Sequence, residues 1–131
     1  IADRMTWLLA ADKPVLVFPE GTSTDGSTVL RFHARLYQAA IRVHGQVQAV
    51  AVRYPRGMGL NTAVPFVGED DLAGHLWQLL GEDGIEAELH FGAALPADGR
   101  ERRALANAAR EQIVEALGVG SDAAVSISSH K

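Results

Sequence analysis

The chain has no cysteine, which rules out disulfides, thiol nucleophiles and thiolate metal sites and fits a reducing compartment. It has no apolar run near the roughly 18–20 residues a bilayer-spanning helix needs, and no charged-then-apolar leader at its start. A soluble chain without a transmembrane segment is expected. The five histidines lack the His-x-x-x-His spacing of a metal site, so no metal is expected. Positive charge is the minority sign, with 12 Lys and Arg against 16 Asp and Glu. The arginines are scattered through loops and one helix rather than gathered into a stripe, which argues against nucleic acid as a partner.

The composition itself is that of a globular body: 131 residues, 47% hydrophobic and 21% charged, enough for one domain with a real core. Ile1 opens a helical pattern already under way. The expectation is therefore of a body over 1–118 whose amino-terminal part is missing, followed by a flexible tail over 119–131.

Hydrophobic periodicity alternates between helix and strand. Met5, Leu8 and Leu9 recur at helical spacing until Asp12-Lys13-Pro14 stops them. Val15, Leu16, Val17 and Phe18 then form an unbroken apolar run, the pattern of a strand covered on both faces. Phe32, Leu36, Ala39, Ala40 and Val43 keep a helical period that Gly45 is placed to end. A Val-rich strand is expected at 47–54, before the turn signal Pro55-Arg56-Gly57, and a short third strand at 63–67. Glu69, Asp70 and Asp71 suit the start of a helix carrying Leu72, Leu76, Leu79 and Leu80, ended by Gly81.

Ile85, Ala87, Leu89 and Phe91 alternate with Glu86, Glu88 and His90, as in an edge strand with one wet face. Asp98 and Glu101 have capping-box spacing ahead of a helix lined by Leu105, Ala109, Ile113 and Leu117 and closed by Gly118. Strands alternating with helices imply an α/β class with a mainly parallel sheet flanked by helices.

The segment VFPEGTSTDG carries most of the chemical information. Gly21 can take backbone angles closed to other residues, and Thr22, Ser23 and Thr24 supply hydroxyls and N–H groups suited to an oxygen-rich ligand. Glu20 repels phosphate, so its carboxylate suits an acceptor hydroxyl, an arginine or loop N–H groups as donors; Arg31 is the nearest arginine in sequence. The same composition also fits a capped turn leading into a helix.

VFPEGTS closely resembles the Phe-Pro-Glu-Gly-Thr block of the glycerolipid acyltransferases, which include the 1-acylglycerol-3-phosphate acyltransferases. The likeness continues through Asp25, Gly26, Leu30, Phe32 and His33, the helix with Ala39-Ala40, and Val50-Ala51-Val52, and so covers most of the chain. It implies a glycerol-3-phosphate acyltransferase-like fold and an enzyme moving a fatty acyl group from an acyl carrier protein or coenzyme A thioester to a lysolipid at the cytoplasmic face of the membrane. No cofactor beyond that acyl co-substrate is implied. Glu20, Gly21, Thr22 and Ser23 would bind the acceptor, with Phe18, Pro19 and Arg31 in support.

The chain departs from the family's pattern in two places. Many members have Arg where Ser23 stands; that Arg can grip an acceptor phosphate as a planar fork. Ala49 stands where a proline is usual. The Ser-Thr-Asp-Gly continuation and the HLWQLL and ELHFG stretches look more like bacterial members acylating other lysolipids, including lyso-ornithine lipid.

The family's catalytic motif is a His followed five residues later by Asp, the His acting as general base on the acceptor hydroxyl. The residues five beyond His33, His44, His75 and His90 are Gln38, Ala49, Leu80 and Leu95, and His130 has no residue there. The motif is therefore expected before Ile1, and the isolated chain is expected to be inactive. A non-catalytic lipid- or partner-binding module is the alternative reading. A serine hydrolase is set aside for want of a Gly-x-Ser-x-Gly elbow.

Overall fold

The computed structural model describes residues 1–22, 24, 26–56, 59, 60, 84 and 86–121. The strand expected at 63–67, the helix expected over 69–80, Ser23, Asp25 and residues 122–131 of the expected tail lie outside the described residues.

Helix α1, Ala2–Ala10, ends as its sequence predicts. Asp12 takes a left-handed φ of 55°, the Lys13 N–H donates to the Leu8 carbonyl at 3.0 Å and the Asp12 N–H to Leu9 at 3.1 Å. This double closure satisfies two of the last carbonyls, and Pro14 cannot continue the helix. Met5, Leu8 and Leu9 are half-buried, and α1 packs against α2, Gln38–Arg42. An exposed Arg42–Asp3 ion pair of 2.7 Å joins the two helices.

The run Val15 to Phe18 is not a paired strand: residues 13–18 belong to no ladder. Val15 and Val17 are half-buried, whereas Leu16 is 79% and Phe18 77% exposed. The in-out alternation of a strand is present without a neighbour to hydrogen-bond. The apolar run specified two-sided burial, and only one side finds cover among the described residues.

The helix expected after the loop is tighter and shorter than its periodicity implies. A 3₁₀ turn, Ala34–Tyr37, leads into α2, and Tyr37, Ala39 and Ala40 are buried. Its terminator is His44 rather than Gly45: His44 has φ 49°, while the Gly45 N–H reaches back to Ala40 at 2.9 Å. Histidine is among the few non-glycine residues enriched in this left-handed region, and the Asp98 carboxylate holds its ring at 2.6 Å.

The longest ladder joins β2, Gln46–Arg53, to β5, Glu88–Pro96. It is antiparallel, with Arg53 opposite Glu88, Gln46 opposite Pro96 and a bulge between Gln48 and Val50, and so departs from the mainly parallel sheet expected. The alternation of Leu89 and Phe91 with Glu88 and His90 does give a strand with two unlike faces, but the expected faces are reversed: Leu89 is 55% and Phe91 64% exposed, while Glu88 and His90 are half-buried. Parallel pairing among the described residues is confined to β1, Thr28–Val29, with β6, Gly120–Ser121. The start of the supposed tail is thus tied to the body. A small antiparallel pair, β3 (Pro55–Arg56) and β4 (Gly59–Leu60), forms around the expected turn.

Helix α3, Arg102–Leu117, lies across β2 and β5 and also meets β1 and the 3₁₀ turn. The expected capping box does not form. Glu101 is the N-cap and makes no side-chain cap bond, because Asp98 is turned to His44 instead. Gly118 closes the helix as expected, at φ 62° with its N–H on Val114 at 2.9 Å.

The core gathers Val29, Phe32, Tyr37, Ala40, Ala49, Ala97, Leu105, Ala106 and Ala109. Five of these nine are alanines, so helix and sheet approach closely and Leu105, with none of its surface exposed, is the principal wedge between them. Truncating such a fully buried leucine costs about 2–5 kcal/mol. The packing fixes α3 against the segment that carries the polar loop.

Candidate functional site

The loop opens with a tight turn. The Gly21 N–H donates to the Phe18 carbonyl at 3.2 Å, and Pro19 at the second position presets the backbone angle such a turn needs. Gly21 then takes φ 72°, and a Cβ there would lie 2.9 Å from the His33 Nε2. Both the backbone angle and the imidazole beside it demand glycine. The His33 N–H donates to the Pro19 carbonyl at 2.8 Å, so both ends of the loop are pinned at one place. The His33 ring is exposed and rests against the loop at Gly21.

Glu20 faces inward along the loop. Its Oε2 accepts the Leu30 N–H at 2.8 Å, which selects the loop N–H among the donors open on sequence grounds and leaves Arg31 unpaired with it. Thr24 accepts the Gly26 N–H on its hydroxyl at 3.3 Å, a local turn of the kind hydroxyl residues favour. Thr22 is exposed at the loop tip.

A residue that the sequence did not single out completes the frame. Arg110 of α3 donates from Nε to the Leu30 carbonyl at 2.8 Å and from its terminal nitrogen to the Val29 carbonyl. The peptide flanking Leu30 is therefore held by Glu20 on one side and by Arg110 on the other. Helical spacing held the clue: position 110 lies one turn beyond buried Ala106 and beside buried Ala109, where a long cation can reach along the core edge.

Two concave surfaces adjoin this frame. An apolar cavity of about 170 Å³ is bounded by Met5, Leu9, Val17, Pro19, Phe32 and Tyr37 among others, so it ends directly behind the loop. An open, polar cleft of about 620 Å³ lies on the other side, lined by Arg31, His33, Arg35, Arg102, Arg103 and Asn107 with some apolar wall. The arginines that looked scattered in sequence are brought together here, because α3 packs its first turn against the segment 31–35. Neither His44 nor Asp98, a histidine–carboxylate pair at 2.6 Å, lines the cavity or the cleft. Among the described residues no three His, Asp or Glu gather as a metal site, and no helix is long and apolar enough to cross a membrane.

A glycine- and hydroxyl-bearing loop with apolar space behind it and cationic groups beside it is an arrangement suited to an amphiphile, with a polar head at the loop and a hydrocarbon part beneath. Comparison with curated proteins leads to the same class. The chain is similar to glycerolipid acyltransferases, as its VFPEGTS block implied. It is 34% identical over 117 residues to the lyso-ornithine lipid O-acyltransferase of Pseudomonas aeruginosa, covering 89% of this chain and 45% of that protein. It is 35% identical to the lyso-ornithine lipid O-acyltransferase of Brucella abortus, over 86% of this chain and 46% of the relative. It is 32% identical to the 1-acyl-sn-glycerol-3-phosphate acyltransferase of Neisseria meningitidis, over 85% of this chain and 44% of the relative. The chain thus spans a little under half the length of these curated relatives. No family model and no solved structure matches it.

Proposed function

We propose that the chain is part of an O-acyltransferase that moves a fatty acyl group from an acyl carrier protein or coenzyme A thioester to the hydroxyl of a lysolipid in membrane lipid biosynthesis. The observation that carries this reading is the 34% identity to a lysolipid acyltransferase across 89% of the chain. The geometry supports it: the Glu20 loop is rigidly framed and backs onto apolar space.

Glu20, Gly21, Thr22 and Ser23 form the acceptor-binding loop in this reading, with Phe18 and Pro19 setting its shape and Arg31 beside it. The chemical step needs a base that this chain lacks. In this reading a His-x4-Asp pair outside residues 1–131 takes the proton from the acceptor hydroxyl. The hydroxyl oxygen then attacks the thioester carbonyl, the C–S bond breaks, the thiol leaves with a proton, and an ester remains. The 131-residue chain alone transfers nothing, and the complete enzyme works at the cytoplasmic face of the membrane. Ser23 in place of the phosphate-gripping arginine and the two lyso-ornithine relatives favour lyso-ornithine lipid over lysophosphatidate as acceptor.

The test is transfer of labelled acyl groups from thioester donors to a panel of lysolipids, comparing full-length protein with residues 1–131. Transfer by the longer chain only, fastest with lyso-ornithine lipid, is expected. A full-length protein that binds lysolipids without transferring acyl groups favours a non-catalytic binding module instead.

A further inference from the structure

The helical period of α3 breaks at Gly118, which takes φ 62° and closes the helix with its N–H on Val114. That left-handed turn sends the chain back on itself, and Val119 packs against the buried cluster that contains Val29. The next two residues are β6, Gly120–Ser121, which runs parallel to β1 with Thr28 opposite Gly120 and Val29 opposite Ser121. Residues that read as the start of a loose tail are thus a strand beside the loop's return limb.

β1 ends immediately before Leu30, whose N–H donates to the Glu20 carboxylate at 2.8 Å. Arg110 grips the same stretch through the Val29 and Leu30 carbonyls, but a side chain on two oxygens leaves the strand free to pivot about them. The ladder with β6 is the only one β1 has among the described residues. A pair of strands this short does not hold by itself in water. It is anchored by Val29, 3% exposed, on one strand and by Val119 at the entrance to the other.

We propose that residues 119–121 are a positioning strap for the acceptor-binding loop: they fix β1, β1 fixes Leu30, and Leu30 aims the Glu20 carboxylate. The inference rests on the acceptor-binding reading of Glu20. The strap touches neither substrate, and its effect on the reaction passes through Glu20 alone. Releasing β6 lets the Thr28–Leu30 backbone shift, the Leu30 N–H leaves Glu20, and the carboxylate loses the orientation that meets the acceptor hydroxyl. The acyl thioester makes no use of Glu20, so acceptor and donor should respond differently.

The experiment uses full-length protein. Gly120→Pro/Ser121→Pro removes both N–H groups of β6, so the ladder is disrupted whichever of them donates. Val119→Ala keeps the backbone and removes the anchor; where the proline variant does not fold, it decides alone. Gly120→Ala/Ser121→Ala keeps both N–H groups and is the conservative control. Hydrogen exchange at the Val29 and Leu30 amides should be roughly tenfold faster in the proline variant, the scale of one lost hydrogen bond. It should be faster to a lesser degree in Val119→Ala and as in wild type in the alanine control, while Ala109 in the middle of α3 exchanges unchanged in all. Acceptor KM should rise several-fold in the proline variant with the donor KM held.

Unchanged exchange at Val29 and Leu30 would overturn the proposal, as would an acceleration at Ala109 as large as that at Leu30. Faster exchange with acceptor and donor KM rising together, or with neither rising, would overturn it too, since β6 would then support the body and not the loop. If full-length wild type transfers no acyl group, the acyl-transfer reading fails by itself. The strap is then judged by exchange together with equilibrium binding of lyso-ornithine lipid: weaker binding in the proline variant supports it, and undiminished binding overturns it.

Discussion

Glu20 and Leu30 are joined by a 2.8 Å hydrogen bond from the Leu30 N–H to the Glu20 carboxylate, closing the polar loop across its two ends. The same Leu30 offers its carbonyl to Arg110 at 2.8 Å. One residue of backbone thus transmits the position of α3 to the loop. The Glu20 carboxylate is partly committed to holding the loop, and its remaining lone pairs face the acceptor in the proposed function.

Replacing Glu20 by Ala should therefore have two effects. A hydrogen bond to a charged group is worth about 1.5–3 kcal/mol, and the partly exposed setting puts the expected destabilisation near the lower bound. In full-length enzyme the acceptor KM should rise several-fold with little change in the KM for the acyl donor. Glu20→Gln, which still accepts from Leu30, should recover most of the stability. Steady-state kinetics with varied acceptor decide the matter, and unchanged acceptor kinetics would remove Glu20 from the binding loop.

Arg110→Met should loosen the loop from a distance. Two carbonyls, those of Val29 and Leu30, lose a charged donor while the aliphatic stem is kept, at a cost of about 1–3 kcal/mol. Amide exchange at Leu30 should accelerate, while the far end of α3 near Val114 and Gly118 exchanges as before. A uniform acceleration along α3 would mean that Arg110 supports the helix and not the loop.

At Gly21 a methyl group meets both a positive φ and the His33 ring. Gly21→Ala should destabilise by about 1 kcal/mol or more. Adding His33→Ala removes the steric conflict but leaves the backbone strain, so the double variant should regain part of the loss. Urea unfolding midpoints of the two single variants and the double variant give the coupling; strict additivity would contradict the contact.

Burial pushes the Tyr37 hydroxyl up to about 12 from its ordinary 10. In the unfolded chain Tyr37 ionises near pH 10, while the folded chain keeps the proton. The contribution is therefore fully present below pH 10 and is lost as pH rises from about 10 towards 12. Denaturant midpoints should fall over that interval, and less steeply in Tyr37→Phe, which has nothing to ionise. Parallel curves for the two proteins would count against the burial of this hydroxyl.

What could be read from the sequence was what is decided locally. The turn at Pro19 and Gly21, the stop at Asp12-Lys13-Pro14 and the α3 stripe of Leu105, Ala109 and Ile113 depend on residues within a few positions of one another. The cap at His44 was misread as Gly45 because its position is set by where the last carbonyls find donors, which a glycine only suggests. Pairing partners are decided at long range, so the apolar run from Val15 to Phe18 could not reveal that it lacks a ladder, nor β5 its direction. The carbonyls that Arg110 reaches and the four-arginine cleft were illegible for the same reason. Each arises from α3 meeting a segment far away in the chain, and no spacing rule connects Arg31 with Arg103.

The antiparallel register that places Arg53 opposite Glu88 has a corollary. The two strand ends lie side by side, and the entropy of closing a connection between such ends grows only slowly with its length. The hydrogen bonds of the Glu20 frame all come from residues outside that connection. A change in the length of that connection is therefore expected to cost little chain entropy, which makes it the place to try insertions first.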